Sequence, residues 1–196
     1  MATLYLTFGP THSGKTTFGE KLYDKLIDTS KTILVDNDTV EAFVKENFNN
    51  LRTDKDILRT RTPENPDLRL RIPQLIVDYA LAESYNVIVT ASHSKEAIRM
   101  KYYEIAQKHH AKVALLILTT SKDEILRRIQ QAKRDNNILL KSKSFKEVLA
   151  WQEIGLHPPS ENERKKYDQV FEINEKNTAD TLKLLAPAEP TSNISE

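Results

Sequence analysis

Cysteine is missing from all 196 residues, which excludes a disulfide framework, a thiolate metal site and a cysteine nucleophile and points to an intracellular setting. The chain also lacks an excess of either charge. Its 29 Lys and Arg nearly cancel 28 Asp and Glu, leaving a formal net charge of +1. There is therefore no bulk electrostatic argument for nucleic acid or a membrane surface, and any basic site must be local. No apolar run approaches the ~20 residues of a membrane helix, and the N-terminus shows no basic, apolar and cleavage regions in succession. The expectation is a cytoplasmic protein that contacts no membrane. Glycine is scarce at 4 residues, so the closely spaced pair Gly9 and Gly14 stands out.

What is present alternates between strand and helix patterns. Leu4 to Phe8, Thr32 to Val35, Asn86 to Thr90, Lys112 to Leu118 and Gln169 to Ile173 are short apolar runs of the kind found in parallel sheets covered on both faces. Helical spacing predicts helices from Lys15 towards Asp28, over Val40 to Phe48, Leu68 to Glu83 and Lys95 to His109. A further helix is expected over Glu124 to Arg134, after a capping-box pattern of Ser121 with Glu124. This order predicts an α/β doubly wound fold with a parallel sheet of about five strands, whose ligands bind beyond the carboxyl ends of the strands. One domain is expected over residues 1–185. Residues 49–67, polar and carrying Pro63 and Pro66, read as an insertion on the substrate side, and residues 186–196 read as a disordered tail.

Gly9-Pro10-Thr11-His12-Ser13-Gly14-Lys15-Thr16 matches G-x-x-x-x-G-K-[ST] without a mismatch, between an apolar strand and an amphipathic helix. The glycines let the backbone curl so that successive N–H groups face a phosphate, and the following helix adds its positive end. Gly9, Thr11, His12, Ser13, Gly14, Lys15, Thr16 and Thr17 are thus the candidate nucleotide-binding residues. Lys15 is expected to reach the β- and γ-phosphates of ATP, and the Thr16 hydroxyl to coordinate Mg²⁺.

The second strand runs into Asp36-Asn37-Asp38, two carboxylates at the crevice end. Either can hold Mg²⁺ or take a proton from an acceptor hydroxyl. Asp38 is the preferred base and Asp36 the candidate metal ligand beside Thr16, although Asp38 can instead cap the helix expected from Val40. The third strand ends in Thr90-Ala91-Ser92-His93, with no acid where many phosphate-loop enzymes keep one for the magnesium shell. The second-strand aspartates are expected to take over part of that role. His93 is a candidate substrate contact or an ordinary loop histidine. Residues 124–146 read as a lid in which Arg128 and Arg134 are the candidate charge stabilisers, beside Arg127. A second basic cluster comprises Arg52, Arg59, Arg61, Arg69 and Arg71.

From Leu4 to Ile173 the chain resembles the small P-loop kinases, particularly the group of polynucleotide 5′-hydroxyl kinases, zeta toxins and chloramphenicol phosphotransferase. The resemblance rests on Leu4 to Thr16, on Asp38, on Leu126-Arg127-Arg128 with Arg134 beyond, and on Tyr167-Asp168-Gln169-Val170. It implies that Asp38 activates the acceptor hydroxyl and that the arginines form a lid. The chain departs from that pattern with Thr90 and His93 after the third strand, and with Glu41 where an arginine often follows the acceptor aspartate. The resulting expectation is an ATP- and Mg²⁺-dependent phosphotransferase acting on a hydroxyl of a small molecule or nucleotide. A polynucleotide 5′-hydroxyl kinase, a regulatory NTPase and a catalytically lost ATP-binding module are the alternatives. Nucleic acid is the less favoured acceptor, because Asp54, Asp56, Glu64, Asp67 and Asp135 interrupt the basic clusters.

Overall fold

Runs rich in Val, Ile and Leu form strands β1 (Thr3–Phe8), β2 (Thr32–Asp36), β3 (Asn86–Thr90), β4 (Lys112–Leu118) and β5 (Gln169–Ile173). In the computed structural model, which describes residues 1–47, 68–132 and 144–186, they make one 5-stranded parallel sheet of order β2-β3-β1-β4-β5. The chain is thus an α/β protein with the sheet order of a P-loop kinase-like fold. Eight helices accompany the sheet among the described residues: α1 (Lys15–Leu26), α2 (Asn37–Asn47), α3 (Leu68–Ala82), α4 (Glu96–Lys108), α5 (Lys122–Gln130), α6 (Phe145–Gly155), α7 (Glu161–Arg164) and α8 (Thr178–Leu185). None of them is long and apolar enough to cross a membrane.

Strand residues alternate between two cores, as the pleat requires. Leu4, Leu6 and Phe8 of β1 join Val77, Ala80 and Leu81 of α3 and Tyr102 and Ala106 of α4. Tyr5, between Leu4 and Leu6, turns to the opposite face with Phe18, Leu22 and Leu26 of α1 and Leu182 and Leu185 of α8. Both faces are therefore covered, which explains why the strands read as continuous apolar runs. A third, smaller cluster joins Ile125 and Ile129 of α5 to Phe145 and Leu149 of α6. It packs α5 against α6.

A buried ion pair ties the segments that follow β3 and α6. Arg99 of α4 and Glu163 of α7 have fully buried side chains, and Arg99 donates to both Glu163 carboxylate oxygens at 2.6 Å. Arg99 also donates to the carbonyls of His93 (2.7 Å) and His157 (3.1 Å), and the Tyr167 hydroxyl donates to Glu163 at 2.8 Å. Burial pushes the Glu163 carboxyl up, but the bonds from Arg99 and Tyr167 outweigh it and hold the group below the usual range.

Several boundaries differ from those expected. α2 begins at Asn37 instead of Val40, because Asp36 Oδ1 accepts the Thr39 N–H at 2.8 Å. The capping therefore falls to Asp36, not to Asp38. α5 ends at Gln130, short of Arg134. Its Ser121 hydroxyl accepts the Glu124 N–H as the capping-box pattern predicts, while the Glu124 carboxylate binds Arg127 and Arg128. Helices α6, α7 and α8 were not expected, although Ser144 and Glu147 make a complete capping box before Phe145. The expected insertion at 49–67, Arg134 and the tail beyond Ala186 lie outside the described residues.

Candidate active site

The loop after β1 owes its shape to backbone conformations that side chains resist. Gly9 has φ +151° and Gly14 has φ +95°, and a Cβ on Gly9 would fall 2.8 Å from Ser13 Oγ and 3.2 Å from the Leu118 carbonyl oxygen. His12 also takes a positive φ, of 56°. The Pro10 carbonyl gathers the loop, accepting the Ser13 N–H (3.3 Å), the Ser13 hydroxyl (2.8 Å) and the Lys15 ammonium. The Thr120 hydroxyl fixes the far side by donating to the Ser13 carbonyl at 2.8 Å. α1 then starts at Lys15 with no acidic residue in its first turn, which leaves its positive end for an anion. Burial lowers Lys15 from 10.5 to about 8, although Asp38 and then Asp36 act in the opposite sense.

This loop is one wall of a cleft of about 1020 Å³ at the carboxyl ends of the strands. Thr11, His12, Ser13, Gly14, Lys15, Thr16 and Thr17 line it, whereas Gly9 does not and instead supports the loop from behind. Asp36, Asp38 and Glu41 line it too.

Asp36 occupies the junction. Parallel register sets Asp36 of β2 opposite Thr90 of β3, and Asp36 Oδ2 accepts hydrogen bonds from the Thr90 hydroxyl (2.7 Å) and the Thr16 hydroxyl (3.1 Å). A carboxylate of the neighbouring strand thus stands level with the last residue of β3. A hydroxyl and a carboxylate oxygen suit Mg²⁺, a hard cation that draws most of its shell from water and substrate phosphates. Among the described residues there is no cluster of three or more His, Cys, Asp or Glu side chains that would hold another metal.

On the other side of the loop, Arg128 of α5 bonds to Glu124 (2.8 Å), to Glu175 after β5 (3.1 Å) and to the His12 carbonyl (3.2 Å). Arg128 lines the cleft. Arg127 does not, since its exposed guanidinium is bonded to Glu124 and Gln131. Those two arginines also hold the Glu124 carboxyl far below its ordinary range, Arg127 contributing most. Arg52, Arg59 and Arg61 of the second basic cluster lie outside the described residues.

His93 is brought inward. It is buried, with φ 42°, and its Nδ1 pairs with the Thr7 carbonyl at 2.6 Å, which makes Nδ1–H the donor and leaves Nε2 unprotonated. Nε2 has no hydrogen-bond partner among the described residues, and burial lowers the imidazole from 6.5 to about 4. His93 thus braces the loop after β3, packing edge-on against Tyr102 with ring centroids 5.0 Å apart.

Among the cleft residues that the sequence reading missed are two that touch the phosphate loop. Phe145 and Gln152 both come from α6, and the Ser144-Glu147 capping pattern was the signal that could have revealed their helix. Gln152 Oε1 accepts the Thr11 N–H at 2.6 Å, and Phe145 meets the His12 ring at 4.3 Å between centroids.

Residues 4–154 match the family model AAA_33, described as an AAA domain. The chain belongs to this AAA domain family. Among solved structures, AAA_33 residues and their flanks share a fold with Kti12 of Chaetomium thermophilum in complex with ADP-AlF3, at TM-score 0.63 and 16% identity, over 94% of this chain and 99% of that one. The APS kinase CysC of Mycobacterium tuberculosis in complex with AMPPNP and APS aligns at TM-score 0.58 and 14% identity, over 95% and 98% of the two chains. A sugar kinase from Janibacter sp. aligns at TM-score 0.60 and 19% identity, over 95% and 97%. These likenesses show the P-loop kinase-like fold. No curated protein matches the sequence.

Proposed function

We propose that this AAA domain transfers the γ-phosphoryl group of ATP to a hydroxyl of a small molecule or nucleotide. The observation that carries this reading is the junction of Asp36 with Thr16 and Thr90, because it supplies the magnesium-shell carboxylate that the third strand lacks. It also weighs against the reading as a catalytically lost module. Two structural neighbours, the APS kinase with AMPPNP and APS and the sugar kinase, support small-molecule phosphotransfer.

In this reading Thr16 and Asp36 would hold Mg²⁺, which would neutralise phosphate charge during transfer. Loop N–H groups and the start of α1 bind the phosphates, and Lys15 follows the charge on the transferring group. Asp38, in the first turn of α2 and lining the cleft, accepts the proton of the acceptor hydroxyl. Arg128 acts from above the loop. Residues 124–146, with Arg128 and Arg134, serve as the lid that keeps water from competing with the acceptor.

The deciding experiment measures ADP release with Mg-ATP alone and with panels of sugars, nucleosides, amphenicol- and aminoglycoside-like compounds and 5′-hydroxyl oligonucleotides. Stimulation by a hydroxyl compound, with the phosphate recovered on it, is the expected result. ADP release without any acceptor and without stimulation overturns the reading in favour of a regulatory NTPase. Asp38→Asn should keep ATP binding and lose transfer, since the amide is nearly isosteric but takes no proton. Asp36→Asn should weaken the magnesium-dependent part of nucleotide binding.

A further inference from the structure

We propose that Gln152 is a positioning residue for the phosphate loop, acting on the peptide between Pro10 and Thr11. Both ends of that peptide are held. Its carbonyl, on Pro10, accepts the Lys15 ammonium and the Ser13 hydroxyl. Its N–H, on Thr11, donates to Gln152 Oε1 at 2.6 Å across 141 residues of sequence. Gln152 therefore determines which way the carbonyl that receives Lys15 is turned. A loop that binds anions works by converging N–H groups, so a peptide free to turn over would present an oxygen to the phosphates and release the ammonium.

Helix α6 is built to hold Gln152 steady. About two turns earlier on the same face, Phe145 packs edge-on against His12, the residue after Thr11, with planes at 73°. Just beyond the helix, the His157 N–H donates to the Ser94 carbonyl at 2.8 Å, and the His157 carbonyl accepts from buried Arg99. Phe145 and Leu149 also pack on Ile125 and Ile129 of α5, the helix whose Arg128 donates to the His12 carbonyl. The two helices thus hold successive loop residues, Thr11 and His12. A carboxamide suits this place because it accepts the Thr11 N–H without setting a negative charge beside a polyanion.

The inference rests on the phosphate-loop reading but not on any acceptor. Its test is calorimetric binding of ADP and of a non-hydrolysable β,γ-imido ATP analogue, each with Mg²⁺, to the full chain and its variants. Gln152→Ala should weaken both nucleotides about fivefold to tenfold, the worth of one net hydrogen bond, with a smaller loss of Tm than Leu149→Ala. Gln152→Glu, which keeps the acceptor, should retain wild-type Tm and ADP affinity nearer wild type, yet lose affinity for the ATP analogue in a salt-dependent way. Wild-type affinities in Gln152→Ala, or an affinity loss that merely tracks Tm as in Leu149→Ala, would overturn the proposal. If Lys15→Ala weakens binding and Gln152→Ala does not, only the role of Gln152 falls. If the unaltered chain binds neither nucleotide, the phosphate-loop reading falls with it.

Discussion

Lys15 is a half-buried charge at the centre of the phosphate loop. Because burial lowers its ammonium to about 8, the loop loses its central positive charge as pH rises through that value. Affinity for Mg-ADP should therefore fall above about pH 8, and Lys15→Arg, charged throughout, should lack this limb. Lys15→Ala should lower turnover by orders of magnitude with a smaller loss of affinity, as expected for a charge that acts on the transferring group. Stability responds in the opposite sense. Between about 8 and 10.5 the unfolded chain holds a proton on Lys15 that the folded chain has released, so this group adds stability as pH rises across that window. For His93, lowered from 6.5 to about 4, the unfolded chain binds the extra proton inside that window, and stability is lost as pH falls from about 6.5 towards 4. His93→Asn, which tolerates the positive φ, should be less stable at pH 7 but should show a flatter decline of Tm between pH 7 and 5. An unchanged slope would show that His93 does not titrate on unfolding.

At the scale of elements, the approach of α1 to the sheet governs the metal-shell residues. A Cβ on Gly19 of α1 would lie 2.4 Å from Thr90 Cγ2 and 3.3 Å from Leu34 Cδ1. Only glycine lets the helix come close enough for Thr16, one turn earlier, to share Asp36 with Thr90. Gly19→Ala should cost about 1–3 kcal/mol through overpacking and should weaken magnesium-dependent nucleotide binding as Thr90 is pushed aside. Gly155→Ala is the contrasting case. It has open space around it at the end of α6 and should be neutral or stabilising by about 0.5–1 kcal/mol. Thermal melts with and without Mg-ADP measure both effects.

At the scale of the whole molecule, the fully buried pair of Arg99 and Glu163 carries an electrostatic risk. Glu163→Gln leaves a buried guanidinium without its counter-charge, which should cost about 3–5 kcal/mol, a large share of the roughly 5–15 kcal/mol that holds a domain folded. Urea unfolding should show a lower midpoint. Nucleotide affinity should fall too, since Arg99 holds the carbonyls of His93 and His157. Replacing both partners by apolar residues, Arg99→Met with Glu163→Leu, should recover much of the stability, because no uncompensated charge remains. A double variant weaker than Glu163→Gln would mean that the pair contributes more than relief from burial.

The sequence by itself determined whatever depends on contiguous residues. The phosphate loop is a run of backbone conformations written in Gly9 and Gly14, and the β-strands show as apolar runs because both faces of a parallel sheet are covered. Five strands, their helices up to residue 132 and the choice of Asp36, Asp38 and Arg128 as cleft residues were legible in this way. Tertiary structure decided what depends on register and packing. Strand pairing set Asp36 against Thr90, which turned a missing third-strand acid into one borrowed from the adjacent strand. Chain segments 141 residues apart met to put Gln152 on Thr11, and the closing of α4 over β1 withdrew His93 from solvent and made it a brace. Periodicity reports which face of an element is apolar, whereas these contacts depend on the distance between elements, which only the packed core sets.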